Sequence, residues 1–479
     1  MLSWLLERSE EEAVAFIRPG GEGLTYGALA MAVRAVADAL LAQVGDVSHL
    51  AVAIAVEDQA GFLVASLAVL ASGGVVVPLD VRAGEAAMTE QARRARVVAA
   101  VRGSTGDDAL HVVPGDASRR ALGPSGGAGG AERSGTGDPA AALILFTSGS
   151  SGAPKGVVLS RAGLQANIDA ILGYLPIGPK SRTPLLLPLV YSYTLVGQAL
   201  TTLRAGGTLL GLSGIAYPAL QIAALSELQA DGLSSVPTAL RQLARASAEL
   251  PEAERPRLTY VASAGAPLDA ATVALLGEGF PGAQLWNQYG LTEASPRVTA
   301  ISDAEPAFAA GSVGRPIAGV SVSAAPDGEL IVRGPSVMMG YLDDPEGTAR
   351  ALGPEGLRTG DLGRVDDGGY VYVTGRKDGL VKIGGERVSV EEIASLVRGV
   401  DGVEDACVLA TDDPLTGARL VAFVQVPAGS SVKERVRAFT RDRLPPAKRP
   451  AKVVELESLP RTANGKVDLQ ALRRMVEVT

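Results

Sequence analysis

LILFTSGSSGAPKGVVLS, residues 143–160, passes from apolar residues into a crowd of hydroxyls and glycines that ends near Lys155. Leu143 to Phe146 has the length and character of a strand buried on both faces, as in a parallel sheet, so the polar half lies at a strand's carboxyl end. Glycines there let the backbone approach a ligand closely. Thr147, Ser148, Gly149, Ser150, Ser151 and Gly152 offer hydroxyls and freed N–H groups able to wrap a phosphate, and Lys155 adds a mobile positive charge. A Walker A loop requires Gly-x-x-x-x-Gly-Lys-Ser/Thr, whereas Lys155 follows Pro154 and precedes Gly156. The loop is phosphate-like without that signature, and composition alone leaves a merely flexible turn open.

Four later segments carry similar chemistry. NQYGLTE, residues 287–293, sets planar Tyr289 beside a glycine turn and then a hydroxyl, Thr292, and a carboxylate, Glu293. That set can stack a base, touch a phosphate and hold Mg²⁺. RTGDLG, residues 358–363, presents Asp361 on a turn between glycines, where it can accept both hydroxyls of a ribose. GRKDGLVKIGGERV, residues 375–388, has two charged clusters and a flexible Gly384-Gly385, and RTANGKVD, residues 461–468, places Lys466 on an Asn-Gly turn. Taken singly, each has a plainer reading: a core aromatic, a turn carboxylate, a solvated lysine.

The elements that must position these residues follow an α/β pattern. Helical stretches such as Tyr26 to Ala42 alternate with short apolar runs such as Leu50 to Val56, the pattern of β-α-β units on a parallel sheet. The uncharged run Gly61 to Leu79 splits into a helix ending at Gly73-Gly74 and a short strand from Val75, so it reads as core and not as a membrane span. GPSGGAGGAERSGTGD, residues 123–138, reads as a flexible surface loop. GELIVRG and GYVYVTG, between 328 and 375, suggest a small antiparallel β subdomain. Beyond Arg376 the character changes: Ser389 and Glu392 form a capping-box pattern opening a helix to about Arg398, then come DACVLAT and RLVAFVQV as strands, a helix from Val432 to about Leu444, and the strand KVVEL. The expected architecture is a large N-terminal domain, residues 1–377, of parallel β/α subdomains plus a small β subdomain. A small mobile α+β C-terminal domain, residues 378–479, follows it.

Composition narrows the partners. With 44 basic against 52 acidic residues and a net charge of −8, an electrostatic grip on nucleic acid or anionic lipid is disfavoured, and small molecules are the better class. A single cysteine, Cys407, excludes an internal disulfide and fits a reducing cytoplasm, and two histidines make a histidine-based metal centre or triad improbable. MLSWLLERSEEE turns acidic at once and does not resemble a signal peptide.

Taken in order, these segments resemble the adenylate-forming superfamily of acyl-CoA synthetases, non-ribosomal peptide synthetase adenylation domains and luciferases. TSGSSGAPKG is similar to its phosphate loop; SAGAPL, NQYGLTE, RTGDLG, GRKDGLVKIGGERV and RTANGKVD are similar to its later motifs in the right order, and LTYGALA and LASGGVVVPLD to two early ones, from about residue 24 to 470. The resemblance implies that Thr147 to Lys155 hold the β and γ phosphates of ATP. Gly265 and Ala266 would line the adenine and Tyr289 stack on it; Thr292 would touch the α-phosphate, Glu293 help bind Mg²⁺, and Asp361 and Arg376 hold the ribose. It implies that Lys466 bridges the carboxylate and the α-phosphate as the adenylate forms. Asp378 would be the hinge about which Lys466 leaves, while the loop from Lys382 to Gly385 enters for thioester formation, with Gly384 and Gly385 making room for a pantetheine arm.

In the amino-acid-activating members an aspartate pairs with the substrate's ammonium. LPLVYSYTLVGQ, residues 187–198, contains no acid, which disfavours an α-amino acid. The expected pocket is Tyr191, Tyr193, Val196, Pro237, Ser263, Gln288 and Val298, a mostly apolar lining suited to an aryl or aliphatic acid. No carrier domain is expected after residue 470, so the acceptor thiol, on coenzyme A or a free-standing acyl carrier protein, comes in trans. Arg435, Arg437, Arg441 and Arg443 could dock a carrier protein or simply form a solvated helix face. A stand-alone amino-acid adenylation enzyme and a non-catalytic nucleotide- or acid-binding homologue are the alternatives.

Overall fold

The structure is a computed structural model, which describes residues 12–477 apart from 19, 22, 104–109, 115–136, 148–153, 378, 384–385, 414–415 and 463–466. Its largest sheet runs Gly340–Tyr341, Lys155–Ser160, Ala141–Thr147, Val75–Pro78, Ala51–Val56, Ala99–Gly103, His111–Pro114. The four strands from Ala141–Thr147 to Ala99–Gly103 are parallel, and the edges are antiparallel. A second sheet orders Gly232–Ser235, Tyr260–Ser263, Gln284–Gly290, Arg297–Ser302 and Arg315–Pro316, of which the first three are parallel. Large-domain α/β architecture is therefore as the alternating pattern predicts.

The local reasons are legible. Helix Tyr26–Val44 begins where the Thr25 hydroxyl accepts from the Ala28 N–H (3.1 Å) and buries Leu29, Val33, Val36 and Leu40. By length and composition it could cross a membrane, but that apolar stripe packs into the core, and Tyr26 donates to the Gly207 carbonyl (2.8 Å). Helix Gln59–Ala71 and strand Val75–Pro78 divide the uncharged run as expected, both buried.

Two expectations are corrected. The strand before the hydroxyl-rich loop is parallel to its neighbour on one side only (Val76 opposite Leu143). On the other it forms a hairpin with Lys155–Ser160, closing at Thr147 opposite Lys155, and Phe146 and Thr147 are only half-buried. Neighbouring strands joined by so short a connection pair antiparallel, so Ala141–Thr147 and Lys155–Ser160 are the two arms of a hairpin. Asp361 lies inside strand Gly356–Val365 and not on a turn; Gly360, at φ +73°, bulges that strand while its pairing with Glu329–Arg333 shifts register.

The small antiparallel sheet, Ser321–Ala324, Glu329–Arg333, Gly356–Val365 and Leu352–Gly353 with Val371–Arg376 beside Gly356–Val365, ends just before residue 378. Past it comes hairpin Leu380–Ile383 with Glu386–Ser389, and a sheet of Asp405–Asp413, Gly417–Gln425 and Lys452–Leu456 over helices Val390–Arg398 and Lys433–Arg443. Their own core unites Val388, Ile393, Val397, Val408, Leu420, Val424, Val436 and Val453. Only half of the capping box forms: Ser389 accepts from the Glu392 N–H (3.3 Å), while the Glu392 carboxylate turns to Lys448 (3.1 Å).

Candidate functional site

Strand Gln284–Gly290 brings Tyr289 to the small sheet, where its phenol donates to Asp361 Oδ2 at 2.6 Å. Arg376, opposite Asp361 in register, donates from Nη1 to Oδ1 at 3.1 Å. Burial, and then the Asp361 charge, hold the Tyr289 phenol well above its usual range, so it stays a donor. Gly290 is required here: a Cβ would run into the Pro296 carbonyl where the chain doubles back to pair Gly290 with Arg297. Gly265, at φ +87°, and Ala266 are exposed just past the end of strand Tyr260–Ser263, which neighbours the Tyr289 strand.

Four residues beyond Tyr289 a second cluster begins. Glu293 Oε1 accepts from the Tyr341 phenol at 3.0 Å, and the Lys155 ammonium sits 4.7 Å from the centre of the Tyr341 ring. Tyr341 is set there by the short strand Gly340–Tyr341 pairing with Val157 and Val158, and the Glu293 carbonyl accepts from the Met338 N–H (2.8 Å). Burial and the Glu293 charge raise the Tyr341 phenol, keeping its proton toward Glu293. Thr292 Oγ1 lies 3.3 Å from the Ser192 hydroxyl. Two polar clusters thus flank one short segment: Tyr289, Asp361 and Arg376 form the first, Lys155, Glu293 and Tyr341 the second, and Thr292 stands between Tyr289 and Glu293 in the chain. Among the described residues no three His, Cys, Asp or Glu side chains gather to hold a metal, so a cation at Glu293 would need phosphate oxygens to complete its shell.

The residues expected to line the acid pocket lie in several places. Tyr193 and Gln288 come to one neighbourhood: Gln288 donates to the Tyr174 hydroxyl (2.8 Å), Tyr174 packs against Trp286 with ring centres 5.2 Å apart, and Tyr193 lies beneath the Arg297 guanidinium (4.2 Å). Burial pushes the Tyr174 phenol up to about 12 against the pull of nearby Arg297. Val196 and Val298 belong to the main apolar core. Ser263 pairs with Asn287, so it faces the opposite side of the sheet from Gln288. Tyr191 stands beside Asp80 and Arg82, burial raising it to about 12, and Pro237 opens helix Pro237–Ala248 behind the loop of Gly265. Arg297, which the sequence reading did not single out, is buried against Tyr193 in this neighbourhood. Its signal in the sequence was a lone arginine in the hydroxyl-and-valine strand that follows Glu293.

Lys382 lies on strand Leu380–Ile383, opposite Arg387. Ser148, Gly149, Ser150, Ser151, Gly152, Asp378, Gly384, Gly385 and Lys466 lie outside the described residues. On helix Lys433–Arg443, Arg435 pairs with Asp401 (3.4 Å) and Arg437 with Glu434 (2.8 Å), so the basic patch is partly neutralised. Arg241 bonds Asp269 (2.8 Å) and the Glu404 carbonyl, and Arg245 reaches the Glu404 carboxylate (3.3 Å), tying the large domain to the small one.

Comparison with known proteins fits this geometry. The family model described as AMP-binding enzyme matches residues 4–342, and that of the AMP-binding enzyme C-terminal domain matches residues 392–466. Feruloyl-CoA synthase from an Amycolatopsis species is 30% identical, with 98% of each chain covered. Among solved structures, ATP-bound MatB from Rhodopseudomonas palustris superposes with a TM-score of 0.83 at 25% identity, covering 99% of this chain and 98% of that one. The amide bond synthetase McbA from Marinactinospora thermotolerans superposes with a TM-score of 0.82 at 27% identity, covering 99% of both.

Proposed function

Since this chain belongs to the AMP-binding, adenylate-forming enzyme family, we propose that it is an AMP-forming acid–thiol ligase. It joins a carboxylic acid lacking an α-amine to the α-phosphate of ATP and passes the acyl group to a pantetheine thiol, coenzyme A or a carrier protein. The observation that carries this reading is a pair of neighbouring polar clusters. Tyr289 and Glu293, on one short segment, meet Asp361 with Arg376 at one end and Tyr341 with Lys155 at the other.

In this reading a carboxylate oxygen attacks the α-phosphorus and the bond to pyrophosphate breaks; the thiol sulfur then attacks the acyl carbon, AMP leaves, and the thiol proton passes to solvent. Tyr289 and Asp361 fix the nucleoside, which places the α-phosphate at Thr292 beside Ser192. Lys155 offsets the charge of the departing pyrophosphate, and residues 147–152 offer it hydroxyls and backbone N–H groups. Lys466 draws carboxylate and α-phosphate together, opposing their mutual repulsion. Mg²⁺, when bound, would screen phosphate charge, and Glu293, oriented by the Tyr341 hydroxyl, is the group to hold it. Rotation about Asp378 then exchanges Lys466 for the segment from Lys382 through Gly384 and Gly385.

The absence of a carboxylate from residues 187–198 supports an amine-free acid, and likeness to a feruloyl-CoA synthase supports a coenzyme A acceptor. Acid-dependent exchange of pyrophosphate into ATP tests the first step. Offering the resulting adenylate coenzyme A, a carrier protein and a free amine in turn identifies the acceptor. Exchange dependent on an α-amino acid and silent with amine-free acids would overturn the substrate class.

A further inference from the structure

Arg297 is the bulkiest of the fully buried side chains, 1% exposed. Its Nε and Nη2 have no hydrogen-bond partner, and among the described residues no carboxylate comes within 4.0 Å of it. A desolvated guanidinium without an anion is a heavy burden on a folded chain, so its retention calls for a group that arrives later. We propose that the acid this enzyme activates is a compact dicarboxylic acid whose second carboxylate is received by Arg297; the inference rests on the acid-activation reading above and names its substrate class.

The two unpartnered nitrogens are those of one edge of the guanidinium fork, the edge that takes a carboxylate with two parallel bonds. This protein uses that edge elsewhere in the same way: Arg82 grips Asp80 through Nε (2.8 Å) and Nη2 (2.7 Å), and Arg93 grips Glu90 likewise (2.8 and 2.7 Å). At Arg297 the corresponding partner is missing.

Its surroundings are built for a polar guest. One face of the guanidinium lies on the Tyr193 ring, and a Cβ on Gly197 would stand 3.3 Å from Nη2, so the helical segment presents no side chain at that point. Gln288 Oε1 is buried without a hydrogen-bond partner, as is Gln198 Oε1 next to Gly197. Both Arg297 donors are shut off from water, so a carboxylate can reach them only when Arg297 or Tyr193 turns aside.

The position limits the length of the acid. Ser192 and Tyr193 are consecutive; the first meets Thr292 and the second meets Arg297. The second carboxylate is therefore held close to the reacting one. The same charge repels an α-ammonium, in agreement with the acid-free segment 187–198.

The test is pyrophosphate exchange by the full-length protein with matched pairs: succinate against butyrate, glutarate against valerate, isophthalate against 3-methylbenzoate. At least one diacid should exceed its partner by about a hundredfold in kcat/KM, as a buried bidentate ion pair discriminates. Arg297→Met should reverse that preference, and Arg297→Lys should restore part of it. A wild-type enzyme that exchanges monoacids as well as or better than every diacid overturns the inference and leaves the acid-activation reading standing. So does an Arg297→Met variant with the diacid preference intact. No exchange with any acid, by a chain that binds ATP, overturns both. Should the Met variant not fold, the wild-type pairs decide, together with melting temperature in ATP: a diacid should raise it and its matched monoacid should not, and the reverse ranking counts against the proposal.

Discussion

The Tyr289 phenol donates to Asp361 across the junction of two sheets, at 2.6 Å, and Arg376 holds the other oxygen of the same carboxylate at 3.1 Å. A nucleoside bound there would meet a carboxylate already fixed in position. Tyr289→Phe keeps the ring and removes one hydrogen bond, so the KM for ATP should rise about three- to tenfold with kcat nearly retained. Asp361→Ala should raise it further. Steady-state exchange kinetics check both, and an unchanged KM in Asp361→Ala would remove Asp361 from the nucleotide site.

Tyr341 connects the two charges of the second cluster, donating to Glu293 at 3.0 Å while its ring faces the Lys155 ammonium. Tyr341→Phe keeps the ring and frees the carboxylate to turn. The Mg²⁺ concentration giving half-maximal exchange should then rise by about tenfold, the usual consequence of losing a group that orients a metal ligand. No shift would mean that Glu293 does not hold the cation.

Much of this was legible because it is local. The helix at Tyr26 follows from its Thr25 cap and its stripe of Leu29, Val33, Val36 and Leu40, and the C-terminal helix from Ser389. Thr292, Glu293 and Asp361 stand out as polar residues in short glycine-rich segments, which is why their order could be read. What was not legible is relational. The hairpin at Thr147 and Lys155 depends on which way the chain turns after a glycine-rich loop, and the bulge at Asp361 depends on Glu329–Arg333 keeping a different register. Ser263 and Gln288 are each plausible pocket residues, yet only strand register puts them on opposite faces. Arg297 looks like a surface residue until Tyr193 and Gly197 are brought over it.

Cys407 is buried in the small domain, and that burial pushes its thiol up to about 12. Between its ordinary value near 9 and that raised one, the folded chain keeps a proton that the unfolded chain has released. The unfolded state then binds fewer protons, so stability falls as pH rises through this window and is unaffected below it. Cys407→Ala should remove about 1 to 2 kcal/mol of the loss between pH 8 and 10.5, in denaturant titrations of the two proteins. An identical pH slope in both would contradict the assignment.

The two-state reading separates the half-reactions. Lys466→Ala should lower exchange on the order of a hundredfold while thioester formation from supplied acyl-adenylate persists. Asp378→Pro, which fixes φ near −65°, should lower overall turnover and spare one half-reaction. Equal loss of both halves in Lys466→Ala, or intact turnover in Asp378→Pro, would place the switch elsewhere.

The central claim is that the site built from Tyr289, Glu293, Asp361 and Lys155 activates a carboxylic acid with ATP. The most direct measurement is incorporation of labelled pyrophosphate into ATP by the purified full-length protein, with and without an amine-free acid, in Mg²⁺. Incorporation should require the acid and be abolished by Glu293→Gln. Incorporation independent of any acid, or none with a broad acid panel despite bound ATP, would contradict it.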